Sequence, residues 1–551
     1  MGQVTDLSKN RVISSELLHQ LKKDIELRRI DSGLRRLKQA SDLIESFDPT
    51  ADNAAAFLDC LARWVDIGYG EPSLVKELLA CFPKPSRSKL ILSDYIHLRL
   101  AEGMLAMADE EPDLAIGHFD FVLGLQDEVE EKELLAIANF WKGRCQRKKG
   151  EYDHALEHST KGRDLALALG HQRMAAVMRV LEGWLLFQKG KTKDALRTLT
   201  EAENILGETD DYVTLGNIHS AHGRIALREA RYKQAVECFL RAIAEYNKRS
   251  PRHRNMARSL ANLAYAQRLI ALQLSRRIDA EIAKRRKTAS GRGSAASSTL
   301  PSRGRLDQMR AEALAYLDQA AEIYALHPHH HGAGTVHVNR GLLFVDAGEW
   351  DRAAAEAAQA YALGEEKRDH IMMARSRLLQ CIVENGKLDE QVEERADPGH
   401  HAQAAQDFAT EAVEFASRTQ NHRVLARAYV WRGLTFCNEM NQNPPAASEC
   451  YDSAAALLKA EPHDELWEEL QTLRTRVLAS GSVDSTLRSW SQGAIGDKTF
   501  QQITEEFAGL IIPKVWEREG RKVSRVAQRL SISPKKVRRI LKRAGLLSSA
   551  K

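Results

Sequence analysis

The chain has 551 residues, 43% hydrophobic but only 6% aromatic, with 28% charged and 14 prolines. That length exceeds what one core serves, and the proline-poor, Ala/Leu-rich balance points to long amphipathic helices and excludes a strand-rich fold. The formal charge of +5 is unevenly spread: residues 514–551 carry thirteen Lys/Arg against Glu517 and Glu519, a local +11, leaving −6 on the other 513 residues. A mildly acidic body with a strongly basic tail is the charge pattern of a nucleic-acid binder joined to a separate sensor or scaffold.

The N-terminal stretch is charged from the start and lacks an apolar leader region, and no stretch reaches the ~20 uninterrupted apolar residues of a membrane span. The expectation is a soluble cytoplasmic protein without a membrane partner. Cys60, Cys81, Cys145, Cys238, Cys381, Cys437 and Cys450 stand apart with no CxxC pair. They are expected to be reduced thiols packed as small apolar residues. Residues 11–82 show helical apolar spacing, and 1–92 are read as N-terminal helices that have room for one or two degenerate repeats.

From residue 93 a repeat emerges. Gly103, Gly143, Gly183 and Gly223 are spaced by 40 residues, and each is followed twelve positions later by an alanine (Ala115, Ala155, Ala195, Ala235). Phe119, Ser159, Leu199 and Phe239 come four further on, then Val122, Gly162, Ala202 and Ala242 after three more. Two antiparallel helices that pack closely need a small residue where their backbones approach, and the first-helix glycine supplies it. One such hairpin cannot bury its apolar face alone, whereas stacked neighbours can, each touching only the next. The pattern resumes at Gly341, Ala353, Ala357 and Ala360, and at Gly433, Ala447, Tyr451 and Ala454. Weaker units fit Ala313, Leu317 and Ala320, and Ala405, Ala409 and Ala412. The expected fold is all-α, with repeats over 93–283 and 306–480 giving roughly eight hairpins.

This array resembles tetratricopeptide repeats of the longer, forty-residue kind, which implies an α-solenoid that binds a protein or peptide partner. It departs from the consensus at the usual Trp position, filled by Arg99, Asn139, Arg179 and His219, and at the following Leu position, filled by Glu102, Lys142, Glu182 and His222. Residues 284–305, basic and Gly/Ser-rich, read as a disordered insertion between the helices of one hairpin, and a shorter insertion lies near residue 390. Residues 481–498 read as a linker to a final domain over 499–551.

In that domain VSRVAQRLSISPKKVRRILKRAGL (523–546) has the pattern of two short helices around a tight turn. Val526, Leu530, Ile532, Val537, Ile540 and Leu541 fall on buried positions, and Ala527 sits where the helices cross. Ser531 occupies the turn, where glycine is commoner because a left-handed backbone is often required. Ser533 is placed as N-cap, with Pro534 opening the second helix. Lys535, Lys536, Arg538, Arg539, Lys542 and Arg543 then point outward, as in a helix that enters a major groove. Lys522, Ser524, Arg525 and Ser533 complete the candidate DNA-contacting set.

The segment WEREGRKVSRVAQRLSISPKKVRRILKRAGLL resembles the Fis-type helix-turn-helix family at Gly520, Ser524, Ala527, Leu530, the Ile532–Ser533 turn and Gly545–Leu546. The resemblance implies a bacterial transcription regulator, a homodimer and double-stranded DNA as ligand, hence association with the nucleoid. Phe500, Ile503, Phe507 and Leu510 would form the dimer interface. His327, His329, His330, His331 and His337 are close enough to suit zinc or nickel, but a polar loop between hairpins accounts for them, as it does for His400 and His401. No metal, cofactor or enzyme motif is expected; the alternative function is a repeat scaffold whose basic tail attaches to nucleic acid without sequence preference.

Overall fold

Alanine at the repeat positions lets paired helices approach closely, and a computed structural model shows where they do. The structure describes residues 13–288, 300–394, 399–438, 440–459, 461, 463–480 and 498–547, and every regular element among them is an α-helix. Contacts divide the chain into two compact units, Met1–Leu473 and Arg474–Lys551.

Unit 1 begins with six short helices, α1 (Ser15–Glu26), α2 (Ile30–Gln39), α3 (Ser41–Glu45), α4 (Ala54–Ile67), α5 (Pro72–Ala80) and α6 (Lys84–Arg87). Their core forms on Phe57, Leu58, Leu61 and Trp64, all fully buried. Gly33 lies directly over the Trp64 indole, where a Cβ would come within 2.0 Å of the ring.

Sixteen helices then pair into eight hairpins, among the described residues. They are α7 (Leu92–Ala108) with α8 (Pro112–Gly124), α9 (Lys132–Lys149) with α10 (Tyr152–Ala168), α11 (Gln172–Gln188) with α12 (Thr192–Leu206), and α13 (Tyr212–Arg228) with α14 (Tyr232–Arg249). After these come α15 (Arg254–Thr288) with α16 (Leu300–Leu326), α17 (His330–Ala347) with α18 (Trp350–Glu366), α19 (His370–Glu394) with α20 (Gly399–Ser417), and α21 (His422–Phe436) with α22 (Pro444–Leu458). The helix α23 (Glu465–Ser480) follows.

The forty-residue register is a physical contact. A Cβ on Gly103 would lie 2.6 Å from the Phe119 ring, one on Gly183 2.7 Å from Leu199, and one on Gly223 2.6 Å from Phe239. Where the facing residue is the smaller Ser159, backbones meet instead, and a Cβ on Gly143 would stand 3.0 Å from the Ala155 carbonyl oxygen. The alanines of every register, including the weaker units at Ala313, Ala320, Ala405 and Ala412, are fully buried. Ten residues of α9 are buried but only five of α10, so first helices form an inner layer and second helices an outer one. The unit is a tetratricopeptide-like α-solenoid.

Three expectations are corrected. The last hairpin keeps Ala447 and Ala454 buried but turns Cys450 inward beside them, 3.1 Å from where a Cβ on Gly433 would stand, and leaves Tyr451 half-exposed. The 284–305 stretch is helical at both ends, through Thr288 and from Leu300, and 289–299 lies outside the described residues. The insertion near residue 390 is likewise helix as far as Glu394, since charged residues with good helix propensity extend α19 beyond its apolar stripe. The linker at 481–497 lies outside the described residues.

Nor do the hairpins touch only their neighbours. Gln420 donates its backbone N–H to the Gly150 carbonyl at 3.1 Å, and Asn421 donates to the Tyr152 hydroxyl at 3.2 Å. Arg28 holds Asp211 at 2.7 Å, while the Ile30 and Asp31 amides at the start of α2 both donate to the Asp210 carboxylate at 2.7 Å, an acceptor suited to a helix N-terminus. The superhelix closes on itself.

Candidate nucleic-acid interface and the inner face of the array

Unit 2 contains α24 (Phe500–Arg518), α25 (Val523–Arg529) and α26 (Pro534–Arg543). Thr499 and Gln502 form a reciprocal capping box that starts α24. Ile512, Trp516, Val526, Ala527, Val537, Ile540 and Leu541 make the core, with Leu530 and Ile532 packed at its edge. Between α25 and α26 the backbone turns through Ser531 at φ +52°, the left-handed conformation anticipated for that position. Ser533 caps α26 by accepting from the Lys536 amide at 3.2 Å, and Pro534 follows as its first residue.

This apolar anchoring leaves a basic face. Lys535, Arg538, Arg539, Lys542 and Arg543 are exposed and Lys536 is half-exposed; Lys522, Ser524 and Arg525 are exposed at the start of α25. One acidic group that the sequence did not flag faces this surface: Glu505 of α24 accepts from both Arg539 and Arg543. Of the four residues expected at a dimer interface, Phe500 is 85% and Phe507 49% exposed, and Ile503 and Leu510 are half-buried.

The inner face of unit 1 is built by the first helices. They enclose a cavity of about 310 Å³ whose wall joins Arg224, Tyr265, Val338, Ile371, Leu378 and Arg427, drawn from five different helices. At one side the segment around α23 lays its carboxylates on arginines. Glu461 lies 2.9 Å from Arg423 and 3.6 Å from Arg228; Glu465 lies 3.2 Å from Arg268, and Arg427 holds Glu469. Burial alone would raise Glu461, but His422, Arg228 and Arg423 outweigh it and hold the carboxyl at about 2. Arg268 also pairs with Asp346 at 2.6 Å.

The histidine run is a clasp. His329 caps α17 by accepting from the Gly332 amide. His330 Nδ1 lies 2.7 Å from Glu110 and its Nε2 3.1 Å from Asp369, and His331 Nδ1 reaches the same Asp369 at 2.6 Å. The turn of the first hairpin is thereby joined to the sixth and seventh. His401 similarly meets Glu384 at 2.5 Å. Glu203 sits 3.8 Å from both His219 and His222, with all three ligand atoms within 4.8 Å of one another. Forty residues earlier the same slots hold Arg163 and Glu182, paired at 2.6 Å; here a carboxylate faces an imidazole instead, and burial lowers the His222 pKa below 6.5. Cys60, Cys145 and Cys381 are buried, and burial pushes each thiol up to about 12, as suits packing rather than chemistry.

No protein-family model matches the chain, and no curated protein matches it. Among solved structures it is similar to the apo form of RapI, at 13% identity over 73% of this chain and 97% of that one, with a TM-score of 0.37. It is similar also to a human IFIT1 dimer with PPP-AAAA, at 11% identity over 85% and 94% with a TM-score of 0.42. Yeast Tom70 gives 13% identity over 80% and 99% with a TM-score of 0.21.

Proposed function

We propose that the chain is a DNA-binding transcription regulator whose α26 enters the major groove and whose repeat array binds a protein or peptide partner. The observation that carries the reading is the geometry of α26: a left-handed turn at Ser531 and a Ser533 cap fix its start, Val537, Ile540 and Leu541 anchor it, and its remaining residues form a basic face. A merely solvated basic helix needs neither the turn nor the cap. Lys536 and Arg539 are the candidates for base edges, and Lys542 and Arg543, nearer the C-terminal end, for phosphates. In this reading the chain works by binding, and no reaction is assigned to it.

Selecting bound duplexes from a random pool with the full-length protein tests the proposal. A recovered inverted repeat, with half-sites about one helical turn apart, supports an operator-reading homodimer. Uniform recovery of all sequences would instead favour the scaffold with non-specific attachment.

A further inference from the structure

We infer that the partner of the array is an acidic peptide segment, held on its inner face by Arg147, Arg224, Arg258 and Arg375. The inference rests on the proposed partner-binding role of the array and names the chemistry of that partner.

The four arginines come from four different first helices, α9, α13, α15 and α19. None forms an ion pair among the described residues; their contacts are neutral. Arg147 and Arg224 lie over the same Trp184 ring, at 5.0 and 5.3 Å from its centre, and Arg224 is 5.6 Å from that of Phe187. Arg258 donates to Asn217 at 2.7 Å and Arg375 to Thr335 at 3.0 Å. The carboxylate that acts on these groups, Asp369 toward Arg375, is itself committed to His330 and His331.

The electrostatics reflect this imbalance. Burial and the neighbouring Arg258 bring Arg147 down to about 9 and Arg224 to about 10, and burial also lowers Arg375. Arg427, equally interior but facing Glu469 and Glu465, is raised instead. Clustered interior guanidiniums without counterions are costly to keep, and a bound carboxylate would relieve that cost with charge-assisted, bidentate hydrogen bonds.

The chain itself displays the kind of segment that fits. Along α23, Glu465 and Glu469 reach Arg268 and Arg427 while Leu466, Leu470 and Leu473 are buried. The wall beyond continues the same mixture: Val338, Leu342, Ile371, Leu378 and Ile382 line the cavity beside Arg224 and Arg375. The apolar part of the wall is mainly aliphatic, and of its aromatic rings Phe187 is already covered by Arg228 while Tyr265 donates to Glu465. It therefore suits the side chains of a peptide better than bases that need a free ring to stack on.

Panning a random heptapeptide pool against the full-length protein tests this. The expected result is enrichment of peptides that combine Asp or Glu with Leu or Ile. Replacing Arg224→Gln and Arg375→Gln should then weaken the enriched peptide by roughly tenfold or more. The same double variant should melt no lower than wild type without peptide, because it removes unneutralised interior charge; a purely structural role for these arginines would lower the melting temperature. Enrichment of neutral or basic peptides would overturn the inference alone, as would unchanged affinity in the variant. Failure to enrich any peptide would overturn the partner-binding reading with it.

Discussion

Glu505 on α24 and Arg539 on α26 form an ion pair across 34 residues, and the same carboxylate reaches Arg543 at 3.4 Å. In the proposed reading an acidic group thus occupies two of the side chains offered to DNA. Glu505→Gln should free both guanidiniums and remove a charge that repels phosphate. Affinity for duplex DNA should rise by roughly threefold to tenfold, with a steeper dependence on salt. Unchanged affinity and slope in a salt titration would remove α26 from the groove.

The turn between α25 and α26 offers a second test. Ser531 holds φ +52°, a region that costs a residue with a Cβ but not glycine. Ser531→Gly should therefore stabilise unit 2 by up to about 1 kcal/mol, less whatever glycine adds to the entropy of the unfolded chain. Denaturant melts that follow Trp516 fluorescence would read it, and destabilisation would contradict the turn geometry.

Dimerisation is tested at Phe507. With Phe500 and Phe507 both exposed, α24 carries apolar surface that the core of unit 2 does not use. Phe507→Asp should convert a homodimer into a monomer in sedimentation of the full chain, and DNA affinity should fall with it. A wild-type protein that stays monomeric at high micromolar concentration would refute the interface.

In unit 1, Gly183→Leu would push side-chain atoms into Leu199, already 2.7 Å from a Cβ at that position. Overpacking there should cost ~1–3 kcal/mol in the melt of unit 1 while leaving operator affinity intact. An unchanged melt would mean that the register is misplaced.

The histidine clasp predicts a pH dependence. Burial opposes the charge on His330, but hydrogen bonds and attraction from Asp369 and Glu110 outweigh it and raise its pKa above 6.5. Burial likewise opposes Glu110 and Asp369, yet their partners hold Glu110 at about 2 and Asp369 well below the carboxylate range. The imidazolium contribution is complete below pH 6.5 and fades as pH rises through the raised value; the carboxylate contribution is complete above about pH 4.5 and fades toward pH 2. Between those limits the clasp stabilises most. His330→Gln should flatten the alkaline side of a melting-temperature profile measured from pH 5 to 9, and an unaltered slope would show that the imidazole is not charged there.

What the sequence revealed follows from periodicity. Gly103 and Phe119, or Gly183 and Leu199, stand sixteen residues apart in repeat after repeat, so one spacing exposes both the hairpin and its closest contact. Ser531 was legible for a related reason, since a turn of fixed length puts one residue in a demanding conformation. Glu505 was not: its pairing with Arg539 joins two helices through exposed side chains and leaves no recurring interval. The inner-face arginines were hidden too, because Arg147, Arg224, Arg258 and Arg375 meet only when four hairpins coil around a common interior. The ends of the 284–305 stretch misled because a helix made of charged residues shows no apolar stripe.

The contact between Glu110 and His330 spans 220 residues. A ribosome that extends the chain at about 5–20 residues per second needs roughly 10–45 s to deliver the histidine after the glutamate. During that interval Asp210, once made, finds α2 already in place and Glu110 has Lys148, whereas the His330 contact of Glu110 and the Gln420 contact of Gly150 wait for the sixth hairpin and beyond. Nascent chains halted before residue 330 should therefore be cut by protease at the first two hairpin turns far more readily than the finished protein. Timing during synthesis, and not only the final energy, thus becomes a property of how this coil closes.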